Sequence, residues 1–454
     1  MSELPKGWVE EKIEVVNEYK AQTLNPLKFP DEMFELFSVP IFPTGRAEFI
    51  LGKDIGSTKQ VVREGDVLLC KINPRINRVW VVTESKGHRQ IASSEWIVFR
   101  SNLQNGHFIR YFFTSERFRT LLCSDISGVG GSLTRAKPKL VSKYHLVLAP
   151  LAEQKRIVEK LDQVLAQVDT IKARLDGIPA ILKRFRQSVL AAAVSGKLTE
   201  EWRGMNVLAF ASLSINEFRG KALSTLPNSW SWKKFGEVVE IASNLVNPLE
   251  TPNDIHIAPN HIEPRTGKLL EFKTVEEDAV KSSKHRFYSG QILYSKIRPY
   301  LCKAALVHFS GLCSADMYPL NTELEKKYLL NWLLSEQFTF WAANANSRTV
   351  LPKINKKQLS EIPVPVPSQE EQTEIVRLVD QYFAFADTIE KQVQKAQQRV
   401  DKLTQSILAK AFRGELVPQD PSDEPADQLL KRIAAARAES EALAKAAKKV
   451  GKKK

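Results

Sequence analysis

The chain is poor in the residues that disulfide-stapled and metal-stapled folds depend on. Its 454 residues include four cysteines, Cys70, Cys123, Cys302 and Cys313, with no C-x-x-C pair. A disulfide framework and a structural zinc site are therefore not expected, and a reduced, cytoplasmic setting fits best. Long apolar runs are missing too. Stretches such as "SVLAAAV" (188–194) fall well short of the ~20 residues a membrane span needs. The opening "MSELPKGWVEEKIEVV" has no apolar core of the secretory kind, so no leader is expected.

Motifs for catalysis are equally scarce. A P-loop needs G-x-x-x-x-G-K-[ST], whereas "GRAEFILGKD" (45–54) has the wrong spacing and places Asp54 after Lys53. The glycines of "SGVGGSL" (127–133) do not complete G-x-G-x-x-G behind a strand, leaving a loop near nucleic acid or a plain turn. A nuclease-like scatter of Asp31, Glu84 and Lys86 can be assembled, as it can in most chains of this size. "HIAPNH" (256–261) reads as a polar loop rather than a metal pair. No catalytic residue, metal ligand or cofactor is assigned to this chain.

Positive charge is abundant. The formal net charge is +14, which attracts polyanions, and nucleic acid is the usual partner of such a field. Part of the excess sits in the terminal "KAAKKVGKKK", a solvated basic end.

A repeat organises the rest. An offset of 218 sets Gln154 on Gln372 and lays "EQKRIVEKLDQ" (153–163) on "EQTEIVRLVDQ" (371–381) without a gap. The same shift lays "QSVLAAAVSGKL" (187–198) on "QSILAKAFRGEL" (405–416). Apolar residues recur in steps of four and three through Ile157, Leu161, Val164, Val168, Ile171, Leu175, Ile178, Leu182, Phe185 and Val189. They do so again through Ile375, Val379, Tyr382, Ala386, Ile389, Val393, Ala396, Val400, Leu403 and Ile407. Such an a/d seam argues for two coiled-coil helices, the first with a kink expected at Gly177 and Pro179. The flanking regions repeat more loosely: "LPKGW" (4–8) answers "LPNSW" (226–230), "EGDVLLCKINPRI" (64–76) answers "SGQILYSKIRPYL" (289–301), and "ASSEW" (92–96) answers "CSADM" (313–317). Short β-type runs dominate there. The order is globule, long helix, globule, long helix, basic tail: a duplicated α+β unit. Antiparallel pairing of the helices would hold two similar globules at a fixed spacing, as a reader of two short DNA sequences with an unread gap would require.

The stretches "PLAEQKRIVEKLDQVLAQVDTIKARL", "ILKRFRQSVLAAAVSGKLTEEWR", "ADTIEKQVQKAQQRVDKLTQSILAKAFRGEL" and "GQILYSKIRPYL" carry a resemblance to the DNA specificity subunits of type I restriction–modification enzymes, class IA. The resemblance covers nearly the whole chain. It implies an α+β fold with two duplicated target-recognition domains, separated by two long antiparallel helices forming a coiled-coil spacer. In those terms the domains are 1–150 and 226–368, the spacer helices 151–203 and 369–417, the linker 204–225 and the basic tail 418–454. It further implies double-stranded DNA, two modification (methyltransferase) subunits and restriction (translocase/endonuclease) subunits as partners. S-adenosylmethionine, ATP and Mg²⁺ belong with those partner subunits. This chain has no Asn/Asp-Pro-Pro-aromatic stretch of the kind a methylating subunit would carry. The alternative is a coiled-coil scaffold whose basic globules bind nucleic acid nonspecifically.

Candidate DNA-contacting residues cluster at matching places in the two halves. After one strand stand Lys71, Asn73, Arg75 and Arg78, and after its counterpart Lys296, Arg298, Tyr300 and Lys303. A second patch holds Ser132, Thr134, Arg135, Lys137 and Lys139, answered by Arg348, Thr349, Lys353 and Lys356. Long cations reach phosphates, Arg can grip guanine with two bonds, and Asn can do so with adenine.

Overall fold

A computed structural model of the chain describes residues 4–101, 104–124, 126–127, 134–206, 214–344 and 352–432, together with 434, 435 and 438. It divides into two compact units, one of residues 1–175 and 395–454, the other of residues 176–394. Two long helices, Leu151–Val194 and Gln369–Ala411, contribute to both. Among the described residues no helix is long and apolar enough to cross a membrane, and no group of three or more His, Cys, Asp or Glu could hold a metal ion.

In the first unit a five-stranded sheet runs in the order Thr23–Leu24, Lys59–Val61, Arg89–Ala92, Met33–Phe37, Glu48–Leu51. Its one parallel pair is Met33–Phe37 with Arg89–Ala92. A three-stranded sheet places Val67–Cys70 between Val79–Val81 and Trp96–Phe99. A two-stranded ladder pairs Val9–Lys12 with His145–Leu148. The helices Gly106–Thr114 and Glu116–Ser124 pack Phe108, Phe112, Phe113 and Phe118 into a core that also receives Phe412 from just beyond the second long helix. Each such ring, fully buried, is worth roughly 1.5–3 kcal/mol.

The second unit repeats this arrangement. Its five-stranded sheet runs Leu245–Val246, Lys284–Phe287, Gly311–Cys313, Ile255–Ile257, Lys273–Thr274, again with one parallel pair, Ile255–Ile257 with Gly311–Cys313. A four-stranded sheet seats Ile292–Ser295 between Met317–Thr322 and Ala304–Leu306. The proline-rich strand Pro363–Val366 pairs with Ser231–Lys234. Proline lacks an N–H for a ladder, and here the prolines fall on alternate positions. The Pro365 carbonyl faces the opposite side and accepts from Tyr328 Oη at 2.7 Å.

The long helices run antiparallel within each unit. In the first, Ile157 and Leu161 share a core with Ile407, Leu408 and Ala411, and Lys172 pairs with Asp401 at 2.8 Å. In the second, Val189, Leu190 and Ala193 share a core with Ile375 and Val379, and Arg186 grips Asp387 and Glu390 at 2.6 and 2.9 Å. The first helix runs on through Pro179 to Val194. The heptad seam is buried less evenly than its pattern predicts: Ile171, Tyr382 and Leu403 stand 46%, 40% and 45% exposed. A pair of helices covers the stripe where they face each other, and a wider apolar stripe needs a further layer. The start of the segment 418–454 packs into the first unit. Ala426 and Leu429 are buried, and Ala426 N–H donates to the Gly7 carbonyl at 2.8 Å.

Candidate nucleic-acid interface

Both units carry the same hook. The strand Val67–Cys70 runs on into Lys71-Ile72-Asn73-Pro74, and Ile292–Ser295 into Lys296-Ile297-Arg298-Pro299. Proline disfavours helical backbone in the residue before it. Here that residue is left-handed in both copies, Asn73 at φ 46° and Arg298 at φ 48°. One 3₁₀ turn follows, Pro74–Ile76 or Pro299–Leu301, and a second left-handed residue closes it, Asn77 at φ 51° or Cys302 at φ 49°. Left-handed backbone costs a non-glycine residue about 1–2 kcal/mol, least for Asn. Such conformations persist where surrounding contacts over-determine them, commonly at ligand-binding loops.

The second patch supplies those contacts. Asn73 N–H donates to the Thr134 carbonyl at 2.9 Å, and Arg298 N–H to the Pro352 carbonyl at 2.8 Å. In return Ala136 N–H donates to Lys71 O at 2.8 Å and Ile354 N–H to Lys296 O at 2.9 Å. The two patches found separately in the sequence are thus stitched together in each unit. A third segment joins them: Lys71 N–H bonds the Glu95 carbonyl and Lys296 N–H the Asp316 carbonyl, at 3.1 and 3.0 Å. Glu95 also meets Lys71 and Arg135 at 3.8 and 3.4 Å, and Asp316 meets Lys353 at 3.1 Å. Sequence reasoning missed these carboxylates, although "ASSEW" and "CSADM" already aligned them.

The candidate residues divide by what holds them. Arg75, Lys137, Lys139 and Arg298 are exposed, as is Tyr300 at 46%. Arg135 and Lys353 keep about half their side-chain surface despite their ion pairs. Arg75 borders a hollow of about 510 Å³ with Glu116, Arg119 and Cys123. Other cations are tied down. Lys71 Nζ donates to Ser94 O at 2.7 Å, Lys303 Nζ to Pro259 O at 2.6 Å and Lys356 Nζ to Ile241 O at 3.3 Å. Burial, and then Arg298, pull the Lys303 ammonium below the usual lysine range. Lys296 Nζ lies 5.2 Å above the Tyr318 ring. Arg78 is half-buried beside Cys70, whose thiol burial pushes up. Thr134 is buried, and it shapes the hook through its carbonyl. Asn73 holds its amide oxygen buried with no hydrogen-bond partner among the described residues. Ser132, Arg348 and Thr349 lie outside the described residues.

A family model for the type I restriction modification DNA specificity domain matches residues 227–398. The Type I restriction enzyme EcoDI specificity subunit of Escherichia coli is 53% identical over 326 residues, which are 69% of this chain and 73% of that one. The chain belongs to the type I restriction–modification specificity subunits. The EcoKI specificity subunit of Escherichia coli strain K12 is 34% identical over 73% of this chain and 72% of its own length. The fold also matches the HsdS subunit of Thermoanaerobacter tengcongensis, with a TM-score of 0.59 at 21% identity, covering 91% of this chain and 98% of that one. A specificity subunit serves DNA sequence recognition within its complex, and the catalytic activities lie in partner subunits.

Proposed function

We propose that this specificity subunit reads a bipartite, asymmetric DNA sequence, one half with each hook and the patch stitched to it. The observation that carries this reading is a shared frame with different side chains. The two hooks agree to within 2° in φ at both left-handed positions. Yet Asn73 stands where the other copy has Arg298, Arg75 where it has Tyr300, and Arg78 where it has Lys303. A common backbone fixes where side chains meet a groove, and the side chains choose the bases. Residues 1–150 and 226–368 act as the reading domains, joined by the linker 204–225 and followed by the basic tail 418–454.

The long helices carry the partners in this reading. Ile171 and Leu403 in the first unit, and Ile181, Tyr382 and Phe385 in the second, leave apolar surface uncovered, as a docking face for two modification subunits would. Those subunits would bring S-adenosylmethionine for adenine methylation, and restriction subunits would bring ATP and Mg²⁺, in the cytoplasm. The test adds modification subunits to the purified chain and maps methylated adenines on random-sequence duplex. One two-part sequence should be modified, and the chain alone should modify nothing. Methylation without sequence preference, or binding explained wholly by salt-dependent phosphate contacts, would instead favour a nonspecific scaffold.

A further inference from the structure

The repeat breaks down at one buried carboxylate. Glu153 and Glu371 occupy equivalent positions in the first turn of each long helix, 1% and 0% exposed. Each takes the same first bond: Trp8 Nε1 donates to Glu153 Oε2 at 2.9 Å, and Trp230 Nε1 to Glu371 Oε2 at 2.8 Å. The neighbouring glutamines agree as well. Gln154 and Gln372 each bond the carbonyl five residues back, at 2.8 and 3.1 Å.

The second oxygen differs. Glu371 Oε1 accepts from Thr199 Oγ1 at 2.7 Å and from the Arg203 guanidinium, which lies over the Trp230 ring. Glu153 Oε1 is buried and has no hydrogen-bond partner among the described residues. The chain explains why. Thr199 and Arg203 follow the first long helix beyond Gly196, and the repeat carries those positions to Val417 and Pro421, beyond Gly414. Both glycines are left-handed, at φ 79° and 72°, and each lies against the proline before its tryptophan's loop, Pro227 or Pro5. After them the paths part. The second unit forms the short helix Glu200–Met205, which delivers Arg203. The first unit has no cation at the corresponding position.

What occupies that place is a cavity of about 470 Å³, lined by Trp8 and Glu153 and by Asp420, Asp423 and Asp427, with exposed Lys6 also in its wall. Asp423 is engaged by Arg156 at 2.6 Å and Asp427 by Lys431 at 3.2 Å. Burial raises the Glu153 carboxyl above its usual range, against the lowering effects of Trp8 and Arg156. A buried carboxylate oxygen without a donor is costly, and the wall's carboxylates favour a cation and repel phosphate.

We propose that this cavity receives an arginine side chain from a protein partner, its guanidinium bonding Glu153 as that of Arg203 bonds Glu371. Arginine fits better than lysine because a planar fork can bond the carboxylate while stacking on an indole. The proposal is independent of which residues read DNA, so its failure would leave that reading untouched.

The test uses the full chain labelled with fluorotryptophan, the Trp8 signal being assigned with Trp8→Phe. Titration with N-acetyl-arginine amide should shift the Trp8 resonance saturably, N-acetyl-lysine amide should do so more weakly, and Glu153→Gln should abolish the response. No shift, or an equal shift in Glu153→Gln, would overturn the site. Assembly with modification subunits is the second arm. Glu153→Gln should weaken it about tenfold, the loss expected for one charge-assisted hydrogen bond. The exposed Asp420→Asn should weaken it by a smaller factor with folding intact. Unchanged assembly in both variants, despite arginine-amide binding, would overturn the protein partner and leave a small-molecule cation site.

Discussion

The two units share the strand order of their five-stranded sheets and their hooks almost angle for angle, yet their helix-start carboxylates live differently. Glu371 is closed off by Thr199, Arg203 and Trp230, whereas among the described residues Glu153 is bonded by Trp8 alone and borders an open cavity. The hooks differ in another way, with the same backbone presenting Asn73 or Arg298 at the bend. Duplication has kept what the fold requires, the left-handed turns and the tryptophan–glutamate bond. The side chains diverge at the positions proposed to face a ligand.

The largest way to break this comparison is Glu371→Ala. It removes the carboxylate partner of the Trp230 indole and of the Arg203 guanidinium, whose side chain is 16% exposed and which keeps only neutral acceptors, the Thr199 hydroxyl and the Gly196 carbonyl. Loss of one partner from a buried ion pair costs about 3–5 kcal/mol, so a clear fall in the thermal midpoint is expected; an unchanged midpoint would mean the closed carboxylate contributes nothing.

Arg298→Asn comes next. Asn tolerates left-handed backbone and makes this bend match Asn73, so stability should hold or rise slightly. DNA affinity should fall by about 1–3 kcal/mol at one base position if Arg298 grips a base, or evenly across sequences with a shallower salt slope if it grips phosphate. Competition binding with single-position duplex variants separates these outcomes. Arg75→Ala should produce its loss in the opposite half of the target.

The smallest effect is expected for Glu153→Gln, and its sign depends on pH. The folded carboxyl titrates above its usual range because it is buried. Below that range the acid is neutral in both states, and wild type and variant should unfold alike. As pH rises through the raised value, wild type loses stability that the variant keeps. Denaturant midpoints from pH 4 to 7 should therefore diverge in favour of Glu153→Gln, by much less than the Glu371→Ala loss.

Much of this was legible in the sequence. The gapless match of Gln154 to Gln372 marks both long helices, and "CKINPRINR" set against "SKIRPYLCK" marks both hooks. What stayed hidden depends on contacts far apart in the chain. Thr134 looks like a polar surface residue until its carbonyl is seen holding Asn73. The heptad pattern does not say which apolar positions lack a covering layer, and Ile171 and Leu403 do. Residues 418–427 read only as the start of a basic tail because their one small apolar anchor, Ala426, gains its meaning from Gly7, more than 400 residues earlier. The unpaired oxygen of Glu153 appears only when the two units are compared atom by atom.

The most direct measurement exchanges residues 1–150 for the equivalent part of another specificity subunit and maps methylated sites genome-wide with the modification subunits present. If each unit reads its own half, one half of the target changes while the other half and the gap between them persist. A change in both halves at once would contradict the account and point to a single composite reading surface.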